Sequence, residues 1–291
     1  MLSKTWGEKA FDVFNLLILL LFGCMTLYPF LYVLTLSLSS PVDARLPGLH
    51  LIPWNPTVSS YVKVFANPQI YTAYGNTILR TVLGTALSVA FCALTAYPLS
   101  RKGFPHRNLA MKLFVFSMMF NGGVIPMYLL IKNLGLINNI GALVLPGAVT
   151  AFNVIVLKNF FQGIPAELNE SAKIDGANDM VIFRKIVLPL SMPVLAVIAL
   201  WAGVGHWNAW FDALIYMQDT NKQVVQLFLR KVVLEQSESL ATNQELMKVT
   251  QYTSETLKAA MIMVVTLPIL LVYPFIQRFF VQGITLGSVK G

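Results

Sequence analysis

Residues 13–42 read VFNLLILLLFGCMTLYPFLYVLTLSLSSPV, a run of thirty residues without a charged side chain between Asp12 and Asp43. A helix needs roughly 20 apolar residues to cross the hydrocarbon core of a bilayer. The run is too long for the apolar part of a signal peptide and lacks a small-residue cleavage site, so we interpret it as a retained anchor. It predicts a first transmembrane helix over 14–36.

Five further uncharged runs of similar length follow. They are residues 81–100, 113–131, 133–157, 186–211 and 259–277. In lipid each span must satisfy its own backbone hydrogen bonds, which a helix does. The sequence therefore predicts an all-α membrane protein with six transmembrane helices. The second is expected over 76–99, the fifth over 194–216 and the sixth over 257–280, while Gly122, Gly123 and Pro126 are expected to interrupt the third.

The amino-acid composition agrees with lipid as the solvent. Only 12% of the 291 residues are charged, against about 25% in soluble domains. The net charge of +8 is better explained by cytoplasmic loops than by nucleic acid, because Lys and Arg collect on the inner side of membrane proteins. The short connections that would lie inside are the more basic ones, which predicts that both termini are cytoplasmic. No nucleic-acid partner is expected.

The segment between spans four and five is too polar to lie in lipid. At 163–189 it reads GIPAELNESAKIDGANDMVIFRKIVLP. Pro165 suits a helix start, Gly176 a stop, and Asn178 or Asp179 the cap of a second short helix that Pro189 ends. This predicts a helix–turn–helix on the cytoplasmic face. Its apolar side chains exceed what so short an element can bury, which favours a protein partner; an ordinary connection between spans is the alternative.

The same segment resembles a known motif. Glu170-Ser171-Ala172, three residues, Gly176, nine residues and Ile186-Val187-Leu188-Pro189 are similar to the EAA motif of permeases in binding-protein-dependent ABC importers, with Ser171 where alanine is usual. The resemblance implies a coupling loop, 163–193, whose helix inserts into a surface groove of an ATPase subunit. The residues expected to couple to the ATPase are Glu170, Ser171, Ala172, Asp175, Gly176, Ala177, Ile186, Leu188 and Pro189.

The resemblance extends over nearly the whole chain. Residues 121–126 (NGGVIP), 207–210 (WNAW) and 283–291 (GITLGSVKG) look like the carbohydrate-importer permeases related to MalG, in particular the LplC and YtcP-like subgroup. The resemblance implies an ABC type I importer (MetI-like) permease fold, with 1–291 as a single transmembrane domain and 217–254 as a periplasmic loop. It also implies oligosaccharide or polysaccharide-fragment cargo, including acidic fragments such as alginate. The second permease subunit of an alginate importer is the most specific expectation.

The resemblance further implies an assembly in the bacterial inner membrane. The expected partners are a second permease that is a different chain, two copies of an ATPase subunit, a solute-binding protein and the saccharide. The sequence has no Gly-x-x-x-x-Gly-Lys-Ser/Thr phosphate loop, so this chain is not expected to hydrolyse ATP by that route. We expect no catalytic residue and no cofactor of its own, with Mg-ATP bound by the ATPase subunits and transport by alternating access.

Sugar sites commonly pair aromatic faces with amide and carboxylate groups. Near the outer end of span five such groups are Trp207, Asn208, Trp210 and Asp212. An aromatic belt at the membrane interface is the alternative for the tryptophans, and Asn208 is the best candidate because an amide within a span usually faces protein or water. Further pathway candidates, which helix–helix hydrogen bonding explains equally well, are Asn121 and Asn153. Arg80 is expected either at the outer membrane edge or in a cavity, and of the two we favour snorkelling to the edge.

Other functions are weighed against the same residues. Cys24 and Cys92 lie in separate spans and are interpreted as packing residues. The three histidines show no metal-ligand spacing, so no metal site is expected. An ion-coupled secondary transporter usually carries ionisable residues inside its spans, whereas Asp212 lies at a boundary. An amino-acid or peptide permease of the same importer class is the main alternative.

Overall fold

The computed structural model describes residues 5–48, 51–120, 122–242 and 253–288. Within these ranges the protein is helical, and its one strand-like feature is an isolated bridge between Ser39 and Pro56. The α-helices are α1 (Trp6–Ser37), α2 (Ser59–Phe65), α3 (Pro68–Ser100), α4 (Arg107–Met119), α5 (Val124–Asn133), α6 (Gly141–Val144), α7 (Ala151–Gln162), α8 (Ala166–Ile174), α9 (Asp179–Ile182), α10 (Leu188–Leu190), α11 (Met192–Asn208), α12 (Phe211–Tyr216), α13 (Val225–Thr242) and α14 (Ser254–Ser288). The all-α prediction is confirmed.

Three helices in the described part of the chain are each long and apolar enough to cross a membrane. They are α1, α3 and the Ser254–Val272 part of α14. If each of two bent helix pairs is counted as one span, the number rises to five. One pair is α4 and α5. They are separated at the glycines that were predicted to interrupt the third span, and Gly123 has a φ of +86° directly before α5. The other is the Asp179–Leu190 segment and α11, which meet at 79°.

The fourth predicted span, 133–157, contains short helices in place of one long helix. α6 ends at Val144 and α7 begins at Ala151. Pro146 and Gly147 lie between them. Proline removes a backbone donor and glycine is conformationally permissive, so the pair ends a helix. α7 then continues to Gln162, where the coupling loop begins.

The chain divides into two compact units. Unit 1 comprises 1–70 and 229–267, and unit 2 comprises 71–228 and 268–291. In unit 1 the most apolar stretch of α1 is wholly unburied, as expected of a helix that faces lipid. Cys24 lies on this helix and is exposed, whereas the sequence predicted a packing residue. The end of α1 is fixed by a small core of Leu36, Ala44 and Ala259. Close by, the carboxylate of Asp43 accepts hydrogen bonds from the backbone N–H and side-chain amide of Asn55, at 2.9 and 3.3 Å.

Two hydrophobic cores lie among the described residues of unit 2. The first joins the second half of α3 to α7, α9, the following π-helical turn and the start of α11, and its buried residues include Cys92, Ala96, Leu157, Phe161, Ile182, Phe183, Val187, Leu195 and Ile198. Cys92 is therefore a packing residue, as predicted. The second core joins α5, α6 and α12 to the start of α13, with Ile131, Leu143, Ala213, Tyr216 and Val224 among its members. The first core supports the coupling loop.

Candidate functional site

The coupling loop forms the predicted helix–turn–helix. Pro165 precedes α8, which ends at Ile174. Gly176 follows with a φ of +80°, a conformation that glycine adopts without a steric penalty. The side chain of Asn178 accepts a hydrogen bond of 2.9 Å from the backbone N–H of Val181 and so caps α9. Of the two predicted caps, Asn178 is the one used.

The prediction that Pro189 ends the second helix is wrong. The chain continues from α9 into a π-helical turn, Phe183–Val187, and then into α10, which contains Pro189 and ends at Leu190. Proline is tolerated there because its missing N–H falls in the first turn of α10. The chain bends only at Ser191, before α11. Helical backbone thus connects the coupling loop directly to the fifth predicted span.

The coupling loop has an inner face, which packs against the rest of unit 2, and an outer face, which is exposed on the surface of the chain. On the inner face Ile182, Phe183 and Val187 are buried in the first core of unit 2. On the outer face Ile174 and Met180 are 87% and 62% exposed. Packing of the inner face accounts for how the loop is held, but most of the apolar surface of these two outer side chains is left uncovered by the described residues. Exposed apolar surface of this kind marks an interaction site.

The residues predicted to couple to the ATPase are divided between these faces. Glu170, Ser171, Asp175, Gly176 and Pro189 are exposed. Those that are partly buried and packed against the first core are Ala172, Ala177, Ile186 and Leu188. The predicted set therefore contains both residues available to a partner and residues that hold the loop in place.

A second group of polar residues lies in unit 2, where α3 meets α12. The guanidinium of Arg80 is 2% exposed and forms an ion pair with the carboxylate of Asp212. Its Nη1 atom donates to Oδ1 of Asp212 and to the carbonyl oxygen of Ala209, both at 3.1 Å. Arg80 is thus buried and paired, and the interpretation that it snorkels to the membrane edge is wrong.

This ion pair lines a cavity of about 550 Å³. Two of the predicted pathway residues, Asn153 and Asp212, lie in its wall. Other groups in the wall that can contact a sugar are Arg80, Ser88, Thr150, Trp201 and His206. Trp201 is 41% exposed and its ring packs against Phe152 with 5.4 Å between ring centroids. The cavity combines an aromatic face, an amide, hydroxyls and a charge-balanced pair.

The imidazole of His206 reaches the cavity because α3 has a glycine opposite it. A Cβ built on Gly84 would lie 2.3 Å from Nε2 of His206, which is closer than any non-bonded carbon contact. The histidine therefore occupies space that any larger residue at position 84 would need.

The remaining pathway candidates lie outside this cavity. Trp207 is buried and packs edge-on against Tyr74, with ring centroids 6.2 Å apart. Asn208 donates to the carbonyl oxygen of Val204 at 3.0 Å and accepts from the side-chain amide of Gln226 at 3.2 Å. Trp210 packs edge-on against Phe211 at 5.5 Å. Asn121 lies outside the described residues.

The first part of the predicted periplasmic loop, 217–254, is tied to the start of α3. Asn76 donates to the carbonyl oxygens of Asn221 and Gln223 at 2.8 and 3.0 Å. The hydroxyl of Thr77 accepts from the backbone N–H of Val225 at 2.8 Å. α13 then begins, so the segment contains a helix as well as a loop.

Sequence reasoning missed several residues that the fold brings to these sites. Trp201 and Thr150 were not distinguished from other span residues, and His206 was considered only as a metal ligand. Their shared signal is that polar or aromatic side chains fall within runs that should face lipid, which favours a protein-lined cavity. Tyr97 and Arg101, which contact the coupling loop, gave no comparable signal.

Comparison with known proteins places these features in a family. The family model described as "Binding-protein-dependent transport system inner membrane component" matches residues 2–286. The chain is 42% identical to Protein LplC of Bacillus subtilis (strain 168) over 290 residues, which cover 100% of this chain and 98% of that protein. It is also 42% identical to the polygalacturonan/rhamnogalacturonan transport system permease protein YtcP of the same organism, over 98% of this chain and 99% of that protein.

A solved structure agrees with the sequence comparisons. The fold matches a chain in the crystal structure of a bacterial ABC transporter involved in the import of the acidic polysaccharide alginate, with a TM-score of 0.86 and 32% sequence identity. The match covers 96% of this chain and 100% of that chain.

Proposed function

Because the chain belongs to the family of inner membrane components of binding-protein-dependent transport systems, we propose that it is a permease subunit of an ATP-driven importer of oligosaccharides or polysaccharide fragments. It has the MetI-like permease fold of ABC type I importers. The observation that carries the proposal is the two-faced coupling loop. Its inner face is packed on the spans and its outer face presents exposed Ile174 and Met180.

Two independent observations support the proposed cargo: the names of the relatives and the lining of the cavity. The relatives include a permease whose name gives polygalacturonan and rhamnogalacturonan as cargo, and a transporter whose title gives alginate. The cavity between α3, α11 and α12 offers Trp201 as a stacking face and Asn153, Ser88 and Thr150 as hydrogen-bonding groups. Small-molecule sites typically combine an apolar or aromatic lining with a few placed polar groups. Acidic fragments such as alginate fall within this proposal.

The Arg80–Asp212 pair gives the cavity wall no net charge, which suits sugar hydroxyls as well as carboxylates. Arg80 can donate to a hydroxyl or carboxylate oxygen and Asp212 can accept from a hydroxyl. Of the earlier pathway candidates, Asn153 and Asp212 are retained as contacts. The ring contacts of Trp207 and Trp210 described above support a packing role for them in this conformation. Asn208 is exposed and is held by its hydrogen bonds to Val204 and Gln226.

The chain supplies no ATP hydrolysis in this proposal. Two ATPase subunits bind Mg-ATP, and their closure displaces the coupling loops of this chain and of a second, different permease chain. Glu170, Ser171, Asp175 and Gly176 lie on the exposed part of the loop, where such a subunit would contact them. The spans then reorient so that the cavity opens toward a docked solute-binding protein.

The proposed topology follows from this arrangement. The whole chain, 1–291, forms one permease domain in the bacterial inner membrane, with both termini and the coupling loop in the cytoplasm. The 217–254 segment lies on the opposite side, where it is available to the binding protein. Cysteine accessibility to a membrane-impermeant reagent at introduced residues 102 and 221 tests the orientation, because only the second should react from outside.

Reconstitution tests the function. The chain is co-purified with its partner permease, ATPase and binding protein, placed in proteoliposomes and supplied with galacturonan, alginate and neutral oligosaccharides. We expect uptake that requires ATP, and ATPase activity that loaded binding protein stimulates. Uptake driven by an ion gradient without ATP, or stimulation by amino acids or peptides in place of saccharides, would contradict the proposal.

Two variants test the coupling loop within the same assay. Ile174→Glu places a charge on the exposed apolar face and Glu170→Ala removes a carboxylate at its edge, so both should reduce co-purification of the ATPase. Lys102→Ala, at an exposed position outside the loop, is the matched control. Full recovery of the ATPase with both loop variants would show that this face is not the docking surface.

A further inference from the structure

The C-terminal end of α3 contacts both helices of the coupling loop through directional polar contacts. Nη2 of Arg101, which directly follows α3, donates to Oδ1 of Asn169 on α8 at 2.8 Å and to the hydroxyl of Tyr97 at 2.7 Å. The Tyr97 hydroxyl in turn donates to the carbonyl oxygen of Asp179 on α9 at 3.1 Å. α8 and α9 are therefore tied to the same end of one helix.

Packing fixes the position of the Tyr97 ring. The guanidinium carbon of Arg101 lies 4.6 Å from the ring centroid, a cation–π distance. The ring of Phe183, in the π-helical turn, lies 4.8 Å away between centroids. Tyr97 thus contacts the coupling loop through its ring and its hydroxyl, and both contacts must be broken for α9 to move independently of α3.

The same helix carries Arg80 in the cavity wall. α3 extends as one helix from Pro68 to Ser100, with Pro98 in its last turn. Arg80 precedes Tyr97 by a separation that corresponds to about 26 Å along a helix at 1.5 Å per residue. One helix therefore reaches both the coupling loop and the cavity, and a displacement of its end at Tyr97 has a continuous helical path to Arg80.

We propose that Tyr97 and Arg101 are positioning residues that transmit displacement of the coupling loop to α3, and through α3 to the Arg80–Asp212 pair. The inference rests on the proposed function, because it takes the ATPase as the source of the displacement. The apolar contacts of Ile182 and Val187 hold the loop on the spans, but hydrophobic contact is non-directional and permits sliding. Hydrogen bonds weaken steeply with misalignment, so the polar contacts resist sliding.

The test separates transmission from assembly. Tyr97→Phe keeps the ring against Phe183 and removes only the hydroxyl, and Asn169→Ala removes the acceptor of Arg101 on an otherwise solvent-accessible helix. In the reconstituted complex with partner permease, ATPase and binding protein, we expect uptake per ATP hydrolysed to fall by about fivefold in Asn169→Ala, the factor that corresponds to one hydrogen bond of average net strength. The fall should be at least as large in Tyr97→Phe, which removes two hydrogen bonds. Recovery of the ATPase subunit during purification should stay unchanged.

Lys173→Ala is the matched control. It removes an exposed ion pair of 3.7 Å between Lys173 and Asp179 that joins α8 to α9 without involving α3, so uptake per ATP should be unaltered. The inference is overturned if Tyr97→Phe and Asn169→Ala both keep the wild-type ratio, or if they lower only the amount of assembled complex. A wild-type complex without ATP-dependent uptake would instead contradict the proposed function, before any variant is compared.

Discussion

Arg80 and Asp212 form an ion pair, although they are 132 positions apart in the sequence. The pair joins α3 to α12 and lines the cavity. The Arg80 side chain is 2% exposed and the Asp212 side chain is 30% exposed, so Arg80 is shielded from water more fully than Asp212. An unpaired charge is costly in such a site, so each of the two residues stabilises the other, and both are candidate contacts for cargo.

Removal of one partner should therefore destabilise the protein more than removal of both. Arg80→Met or Asp212→Leu alone leaves an unpaired charge, a change that costs about 3–5 kcal/mol in buried pairs, and the partial exposure of Asp212 favours the lower end. The double variant Arg80→Met/Asp212→Leu should recover most of the thermal stability. Thermal unfolding of the purified complex in detergent measures this, and a double variant less stable than either single one would contradict it.

How far the sequence predicts these features depends on how local they are. The predicted spans 14–36 and 76–99 match the C-terminal ends of α1 and α3 to within one residue, because the apolar run is a property of one segment. Both helices begin eight residues before the predicted spans. The length of an uncharged run did not predict the break between α6 and α7, because Pro146 and Gly147 are themselves uncharged. The cap at Asn178 and the turn at Gly176 were predictable for the same local reason.

The errors concern contacts between distant segments. A charge at the end of a run, such as Arg80, has the same local pattern whether it snorkels or pairs, and only the fold brings Asp212 to it. Pro189 has a helix-ending pattern, but the helical backbone continues past it to Leu190 and the bend follows at Ser191. Trp207 and Trp201 are equivalent as sequence, yet one packs on Tyr74 and the other lines the cavity.

Gly176→Val should weaken the coupling loop by changing its backbone. Position 176 has a φ of +80°, and the left-handed region costs a non-glycine residue about 1–2 kcal/mol, more when it is β-branched. No atom lies within 4 Å of a Cβ built there, so the effect would come from backbone strain and not from a clash within this chain. We expect reduced recovery of the ATPase, with the spans still folded.

Gly75→Ala is the control for that variant. Gly75 lies in α3 and a Cβ there would also meet no atom within 4 Å, but no positive φ is required. Alanine should leave ATPase recovery unchanged and raise stability slightly, by about 0.5–1 kcal/mol. Equal ATPase recovery from Gly176→Val and Gly75→Ala would show that the turn conformation is not needed for docking.

Trp201→Ala should reduce the affinity of the permease for its cargo. The indole is partly exposed in the cavity and held by Phe152, so its face is available for stacking. Loss of one aromatic contact of about 0.5–1.5 kcal/mol should raise the substrate concentration for half-maximal uptake by about two- to tenfold. Trp54→Ala, at an exposed position in unit 1, is the control. An unchanged concentration dependence in Trp201→Ala would exclude the indole from the transport path.

Gly84→Ala tests whether the position of His206 matters to transport. The added methyl would overlap the imidazole, whose Nε2, Cδ2 and Cε1 atoms would lie within 2.3–2.6 Å of it, so the ring must leave its site or the helices must separate. We expect lower uptake and lower thermal stability than in the wild type.

His206→Ala removes the ring, and the double variant Gly84→Ala/His206→Ala should regain stability because the clash is gone. If uptake returns together with stability, His206 only fills space in the cavity wall; if stability returns without uptake, the imidazole is a contact for the cargo. A double variant as unstable as Gly84→Ala alone would contradict the close packing of these two residues.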